Sequence, residues 1–215
     1  VEGPSGYLYG ARGNGTSAFW RYDIAANSWS DAAASDAPLS IGYGGSLKYD
    51  GSRYIYALRG NSDDAFMRYD TQTDIWENLS NVDFDAPTSH ANNLVYIGGH
   101  LAYDPDGTMY AIQGNTYTGF SSYSVASGSW SFLPDLPVLP YDGGQIEYDS
   151  TTNAIYYISG WTMPFLYKFD IGTQTWTNLA DAPSTFTSGA SMRVVNGYIY
   201  VLRGGSNTTF WRYNI

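Results

Sequence analysis

Short runs of alternating apolar and polar residues recur along the chain, each bounded by a glycine or a polar turn. The most regular run pairs an apolar residue with tyrosine and ends in glycine; its five copies are Leu8–Gly13, Ile55–Gly60, Met109–Gly114, Ile155–Gly160 and Ile199–Gly204. The copies begin roughly 44 to 54 residues apart, a spacing typical of stacked units that include propeller blades. A period of two without sustained helical periodicity predicts an all-β protein.

Each repeat unit resolves into four predicted strands. The first follows a pair of glycines, as in Gly44–Tyr49, and the second is the apolar-tyrosine run. The third is rich in aromatic residues, as in Phe66–Asp70. The fourth opens at a tryptophan in four of the five units: Trp29, Trp76, Trp130 and Trp176. Asp-Gly and Asn-Gly pairs between the first two strands favour tight hairpins.

The order of these features resembles the Kelch repeat: Ile-Tyr-x-x-x-Gly, then a Tyr-Asp turn leading to tryptophan, then x-Pro. The resemblance spans nearly the whole chain and implies one Kelch-type β-propeller domain over residues 1–215. One feature departs from the family. The second strand of a Kelch repeat usually ends in Gly-Gly, and here only Gly204-Gly205 keeps that pair.

The repeats predict five blades, which cover residues 7–38, 43–87, 97–137, 142–183 and 187–215. The first blade lacks its inner strand and the last lacks its outer strand, and Val1–Gly6 is too short and turn-like to supply a good one. Unpaired backbone groups at such edges invite another chain to add a strand. The alternative is that the chain is a segment of a longer propeller.

Charge and composition exclude several partners. The formal net charge is −10, and only Lys48 and Lys168 are lysines, so no basic stripe is present that could neutralise the phosphates of a nucleic acid. Anionic membrane surfaces are disfavoured for the same reason. Membrane insertion is excluded because no apolar run approaches the roughly 18 residues of a membrane span.

Candidate catalytic chemistry is sparse. Cysteine is absent, which excludes disulfides, a thiolate nucleophile and the copper-radical chemistry of galactose oxidase, another Kelch-like propeller. The two histidines, His90 and His100, have no metal-ligand spacing and no placeable catalytic partner. Asp104–Gly107 superficially resembles a calcium loop but lies where a hairpin turn belongs. The sequence therefore predicts no enzyme activity, no metal and no cofactor.

The residues before the strand-ending glycines are the candidate ligand-binding group: Arg12, Arg59, Gln113, Ser159 and Arg203. A propeller would place them around one mouth, which the Kelch resemblance implies is the ligand face. Guanidinium groups bind carboxylates and sulfates bidentately. The nearby loop residues Tyr43, His90, Tyr141 and Trp161 would add stacking surface. The alternative is that each arginine pairs with an aspartate of a neighbouring loop, such as Asp36, Asp85 or Asp181.

Three sequons, at Asn14, Asn78 and Asn207, together with scarce lysine, favour an extracellular protein. The start at Val1–Pro4 without an initiator methionine indicates a processed or excised segment. The resulting hypothesis is a non-enzymatic extracellular module that binds an acidic peptide or a glycan at the propeller mouth. Two alternatives are a structural subunit of a surface layer or filament, assembling through incomplete terminal blades, and an accessory domain of a larger secreted enzyme.

Overall fold

The computed structural model describes residues 1–4, 6–31, 36–84 and 92–215. All regular structure within these ranges is antiparallel β-sheet, arranged as five blades around one channel. The predicted all-β fold, the five blades and the incomplete first and last blades are confirmed. Blades 2 to 4 have four strands each, and blades 1 and 5 have three.

The strands follow one another within each blade from the channel outwards. Blade 1 has β1 (Tyr7–Ala11), β2 (Phe19–Asp23) and β3 (Ser28–Asp31). Blade 2 has β4 (Ser46–Tyr49), β5 (Tyr54–Leu58), β6 (Phe66–Asp70) and β7 (Ile75–Asn78). Blade 3 has β8 (His100–Asp104), β9 (Thr108–Gly114), β10 (Tyr117–Ser124) and β11 (Ser129–Phe132). Blade 4 has β12 (Gln145–Asp149), β13 (Ala154–Ile158), β14 (Leu166–Asp170) and β15 (Thr175–Asn178), and blade 5 has β16 (Ser191–Val195), β17 (Tyr198–Leu202) and β18 (Phe210–Asn214).

The aspartates that end the third strands of blades 2 and 4 close the turns to the outer strands. Asp70 Oδ1 accepts the backbone N–H of Gln72, and Asp170 Oδ1 accepts that of Thr173. An aspartate that binds the backbone two or three residues ahead replaces a backbone turn contact. Ser124 of blade 3 accepts the backbone N–H of Ser127 in the same way, so a short polar side chain closes the turn in each of these blades.

An aromatic joint holds neighbouring blades together, and it recurs three times. Phe66 of blade 2 meets two rings of blade 3, with centroids 5.0 Å from Tyr123 and 5.1 Å from Trp130. Phe19 meets blade 2, and Phe120 meets blade 4, in the same way. Edge-to-face contacts of this kind stabilise the interface between blades beyond the gain from burying the rings. The joint therefore explains the phenylalanine and tryptophan of the repeat.

Close backbone contacts hold the same interfaces near the channel. Gly44 and Gly98 have positive φ, and a side chain on either would overlap a carbonyl oxygen of the next blade, that of Tyr96 and Tyr141 respectively. In blades 2 to 4 the first residue of the inner strand adds a hydrogen bond to the next blade, as Gln145 does with the N–H of Met192 at 2.7 Å. Only glycine permits this close approach.

The joint between blade 5 and blade 1 is not formed. Its partners by repeat position would be Phe210 on blade 5 and the Tyr22–Trp29 pair on blade 1. Instead, Phe210 is 59% exposed and Trp29 is 60% exposed. Gly189 of blade 5 likewise has positive φ but faces open space. We call this gap the open seam.

The first residues partly occupy the inner position of blade 1. The backbone of Val1 exchanges two hydrogen bonds with Tyr9, at 2.7 and 2.8 Å, and Glu2 forms a single bridge with Leu8. The Gly3 N–H adds one more bond, to the Tyr7 carbonyl at 3.0 Å, and the chain then turns, with the Tyr7 N–H bound to the Pro4 carbonyl. The expectation that this segment gives no full strand is confirmed within the described residues.

None of the described residues belongs to a helix that is long and apolar enough to cross a membrane.

Candidate functional site

The mouth of the propeller is formed by the loops between second and third strands and by the connections between blades. Many of these loop residues have left-handed backbone conformations, including Asn61, Ser62, Tyr141 and Trp161. Hydrogen bonds between loops fix them: Asn61 N–H binds the Tyr43 carbonyl at 2.7 Å, and Trp161 N–H binds the Asp142 carbonyl at 3.0 Å. The mouth therefore presents side chains from a rigid backbone.

Two of the predicted arginines hold neighbouring loops. Arg59 donates from Nε to the Ser40 carbonyl at 3.2 Å and pairs with Asp63. Arg203 donates from Nε to the Thr185 carbonyl at 2.9 Å. None of these three partners is one of the predicted aspartates, Asp36, Asp85 and Asp181. Asp85 lies outside the described residues. A guanidinium that satisfies a backbone carbonyl still has donors left over.

The other members of the predicted group have different surroundings. Gln113 is fully buried and donates from Nε2 to the Asn92 carbonyl at 2.8 Å. Ser159 is also buried. Arg12 is exposed, and its guanidinium makes no ion pair with a described residue. The five residues thus occupy equivalent positions, but their side chains are not equally accessible.

Aromatic side chains form an arc at the mouth across blades 2 to 4. Tyr43 is 65% exposed and Trp161 is 60% exposed. Tyr141 contacts Trp161 edge to face, with centroids 4.9 Å apart. Between them, Tyr96 stacks on Tyr117 at 5.1 Å. We call these five residues the aromatic arc; Tyr43, Tyr141 and Trp161 belong to the sequence prediction, and Tyr96 and Tyr117 were missed.

A small cavity of about 260 Å³ opens within the arc. Tyr43 and Tyr96 flank it, and Asn61 and Ser62 contribute polar groups. Apolar rings beside a few amide and hydroxyl groups are typical of a site for a partly polar ligand. His90, the remaining predicted stacking residue, lies outside the described residues.

The central channel is a second, larger cavity of about 1270 Å³, as expected for five blades around one axis. Lys48 of blade 2 reaches Glu147 of blade 4 at 2.7 Å, and Arg193 of blade 5 lies 3.4 Å from the same carboxylate. Lys48 and Glu147 are largely buried, whereas Arg193 is half exposed. These three charged groups therefore bind one another across the channel and connect blades 2, 4 and 5.

His100 also points into the contact between blades. Its Nδ1 lies 3.1 Å from the Ile146 carbonyl of blade 4, and burial lowers the pKa of its imidazole to about 4. Glu147 raises this pKa and Lys48 lowers it, but both effects are smaller than that of burial. The ring is therefore neutral at pH 7 and donates its Nδ1 proton to that carbonyl.

This geometry predicts loss of stability in mild acid. Between the ordinary histidine pKa of about 6.5 and about 4, the unfolded chain takes up a proton that the folded chain excludes. We expect the free energy of unfolding to fall by about 3 kcal/mol through that range because of His100. Urea unfolding of wild type and His100→Gln from pH 7 to 4 measures the difference. If the free energy of unfolding depended on pH equally in both proteins, the prediction would be wrong. His90→Gln is the control.

The three sequon asparagines, Asn14, Asn78 and Asn207, are all exposed, so an attached glycan would meet no steric barrier from the fold. Their glycosylation stays a prediction. Within the described ranges, no group of three or more histidine, aspartate or glutamate residues lies close enough together to hold a metal ion.

Comparison with known proteins identifies a similar fold among solved structures. No family model matches the chain, and no curated protein matches it in sequence. The solved structure of YjhT is similar, with a TM-score of 0.58 at 16% sequence identity. The match covers 77% of this chain and 58% of YjhT, so the chain spans less than two thirds of that protein. The likeness shows a shared fold.

Proposed function

We propose that this chain is a non-enzymatic, extracellular binding module that recognises a glycan at the aromatic arc. The observation that carries the proposal is the exposure of Tyr43 and Trp161 on loops that backbone hydrogen bonds hold in place. Large rings exposed at a concave, rigid site are typical of a binding surface, since burying them on a ligand is favourable. Sugar rings suit such a surface because they combine an apolar face with hydroxyl groups.

The neighbouring polar residues support a sugar rather than a purely apolar ligand. Asn61 and Ser62 line the small cavity beside Tyr43. Their left-handed backbone conformations are fixed before the ligand arrives. A ligand that binds fixed groups loses less free energy to ordering the site. Amide and hydroxyl groups can both donate to and accept from sugar hydroxyls.

Arg12 supports an acidic ligand as the alternative ligand class at the same mouth. Its guanidinium is exposed, in contrast to those of Arg59 and Arg203, which are partly buried against loop carbonyls. An acidic peptide or an acidic sugar would meet this cation in a protein whose net charge is −10. Binding that depends on Arg12 and weakens with salt would identify this ligand class.

The remaining assignments belong to the same proposal. The Tyr-Asp turns and interblade tryptophans support a Kelch-type repeat, and the exposed sequons support an extracellular location. His100, whose Nδ1 is bound to a backbone carbonyl between blades, has a structural explanation that needs no catalytic role. The alternative role as a subunit of a surface layer or filament would instead use the incomplete terminal blades for assembly.

The test is a glycan array probed with wild-type protein, Trp161→Ala and Tyr43→Ala. We expect each substitution to weaken binding of the recognised glycan at least tenfold, since each removes a stacking ring. Trp29→Ala is the matched control, because Trp29 is equally exposed but lies on the open seam. Arg12→Ala distinguishes the acidic-ligand reading. An array profile that both Trp161→Ala and Tyr43→Ala leave unchanged would refute the proposal.

A further inference from the structure

One backbone contact recurs at the mouth in blades 2 to 5. The residue after the strand-ending glycine donates its N–H to the carbonyl of the residue three positions before the inner strand. The four bonds, 2.7 to 3.0 Å long, join Asn61 to Tyr43, Asn115 to Ile97, Trp161 to Asp142 and Gly205 to Ser188. All four donors have positive φ. Because only backbone atoms take part, the contact requires no particular side chain at either position.

Blade 4 builds this contact from residues that its backbone conformation disfavours. Three blades use Asn61, Asn115 and Gly205, residue types that tolerate a left-handed backbone. Blade 4 instead has Trp161, with a φ of +39°, and Tyr141, with a φ of +44°. The two rings contact each other edge to face, with centroids 4.9 Å apart. Bulky residues kept in such a conformation are typical of binding sites, where strain is retained for function.

Asp142 adds a carboxylate to the same corner, which we call the blade 4 corner: Tyr141, Asp142 and Trp161. Its side chain is half-buried and, within the described ranges, accepts one hydrogen bond, from the Ser188 hydroxyl. No lysine or arginine of the described chain pairs with it, whereas Asp63 at the same mouth pairs with Arg59. The fold does not require this charge, because the equivalent residues of the other blades are Tyr43, Ile97 and Ser188.

Aromatic rings beside a carboxylate form a favourable environment for a cation. The face of an aromatic ring attracts a positive charge, and tryptophan does so most strongly. A carboxylate accepts charge-assisted hydrogen bonds from an ammonium group. The net charge of −10 also draws cations toward the protein. Arg12, the exposed cation of the mouth, belongs to blade 1, outside the aromatic arc.

We propose that the blade 4 corner binds an amino sugar whose amino group is protonated. This inference rests on the proposed glycan-binding function and names the sugar class. The sugar ring stacks on Trp161, and its ammonium group donates hydrogen bonds to the carboxylate of Asp142. Tyr43 and Trp161 then supply affinity for sugar rings in general, and Asp142 determines specificity for the amino group.

The experiment compares oligosaccharides that differ only at nitrogen. Oligomers of glucosamine and of galactosamine are titrated calorimetrically into wild-type protein, each beside its fully N-acetylated counterpart, at a pH where the free amino groups are protonated. We expect at least one free-amine oligomer to bind about tenfold more tightly than its neutral counterpart, as for a hydrogen bond to a charged group. Added salt should reduce this advantage.

Asp142→Asn isolates the carboxylate. We expect it to weaken binding of the free-amine oligomer about tenfold and to leave the N-acetylated oligomer unchanged, because only the charged interaction is lost. Asp36→Asn is the matched control. Asp36 likewise accepts a serine hydroxyl, that of Ser17 at 3.3 Å, but it belongs to blade 1. This control should bind both oligomers as wild type does.

Three results would overturn the inference. The first is equal binding of each free-amine oligomer and its N-acetylated counterpart by wild type. The second is an equal effect of Asp142→Asn on both forms, with circular dichroism and an unfolding midpoint that match those of wild type. The third is tighter binding of an acidic probe, an oligomer of galacturonic acid, that Arg12→Ala removes.

The same titrations separate this inference from the proposed function. If Trp161→Ala weakens the free-amine and N-acetylated oligomers equally and Asp142→Asn weakens neither, glycan binding at the arc stands and the amino-sugar assignment is wrong. If wild type binds none of the oligosaccharides and its glycan-array profile is unaffected by Trp161→Ala and Tyr43→Ala, both are wrong.

Discussion

Replacing Phe66 by alanine is expected to lower the free energy of unfolding by about 3 to 5 kcal/mol, the range for a buried phenylalanine. Phe66 is fully buried and packs against Tyr56 of its own blade and Tyr123 and Trp130 of the next. Its removal leaves a cavity between two sheets that the rigid propeller cannot collapse. Urea unfolding, followed by tryptophan fluorescence and circular dichroism, measures the change.

Phe210→Ala is the matched comparison, because Phe210 occupies the same repeat position at the open seam. It still stacks on Tyr200, at 5.7 Å, but no blade covers its other face. We expect the free energy of unfolding to change by less than about 1 kcal/mol, as for most exposed substitutions. Equal losses in the two variants would mean that the seam is closed in solution, by the chain itself or by association.

Replacing Gly98 by alanine is expected to cost more than about 3 kcal/mol, for two separable reasons. Its φ of +82° disfavours a side chain by about 1 kcal/mol. The new methyl group would also overlap the Tyr141 carbonyl of the next blade, so the blades must move apart. That second cost adds to the conformational one because backbone, rather than a flexible side chain, blocks the position.

Gly189→Ala separates the two costs. Gly189 has a similar φ of +75° and occupies the equivalent position in blade 5, but nothing lies near its methyl position. We expect a loss of only about 1 kcal/mol, which is the conformational part. Unfolding midpoints of the two variants in urea give the comparison directly. If Gly98→Ala were no worse than Gly189→Ala, the close approach between blades 3 and 4 would be disproved.

The fold was predictable because each repeat encodes its strands locally. The apolar-tyrosine run marks the second strand, and aspartates such as Asp70 mark the turn that follows the third. The inner strands were readable from their paired glycines. What the repeats did not reveal is the short pairing of Val1 and Glu2 with blade 1, since two residues carry no recognisable period.

The candidate site was predictable in position more than in detail. Tyr43 and Trp161 are exposed at the mouth as loop aromatics should be, but nothing local indicates that Arg59 and Arg203 donate to backbone carbonyls. Those acceptors depend on how the loops between blades curve. The Lys48–Glu147 pair was also hidden, because the two residues are 99 positions apart and no shared motif links them.

That ion pair has a consequence for how the protein melts. In a strictly linear array of repeats, each unit gains stability only from its immediate neighbours, and the ends fray independently. Lys48 and Glu147 instead join blade 2 to blade 4 past Ala102 of blade 3, and Arg193 extends the link to blade 5. Loss of blade 2 therefore removes a contact of blade 4, which is not its neighbour along the chain. This link couples blades 2 and 4 directly, and we expect a sharper unfolding transition than contacts between successive blades alone would give.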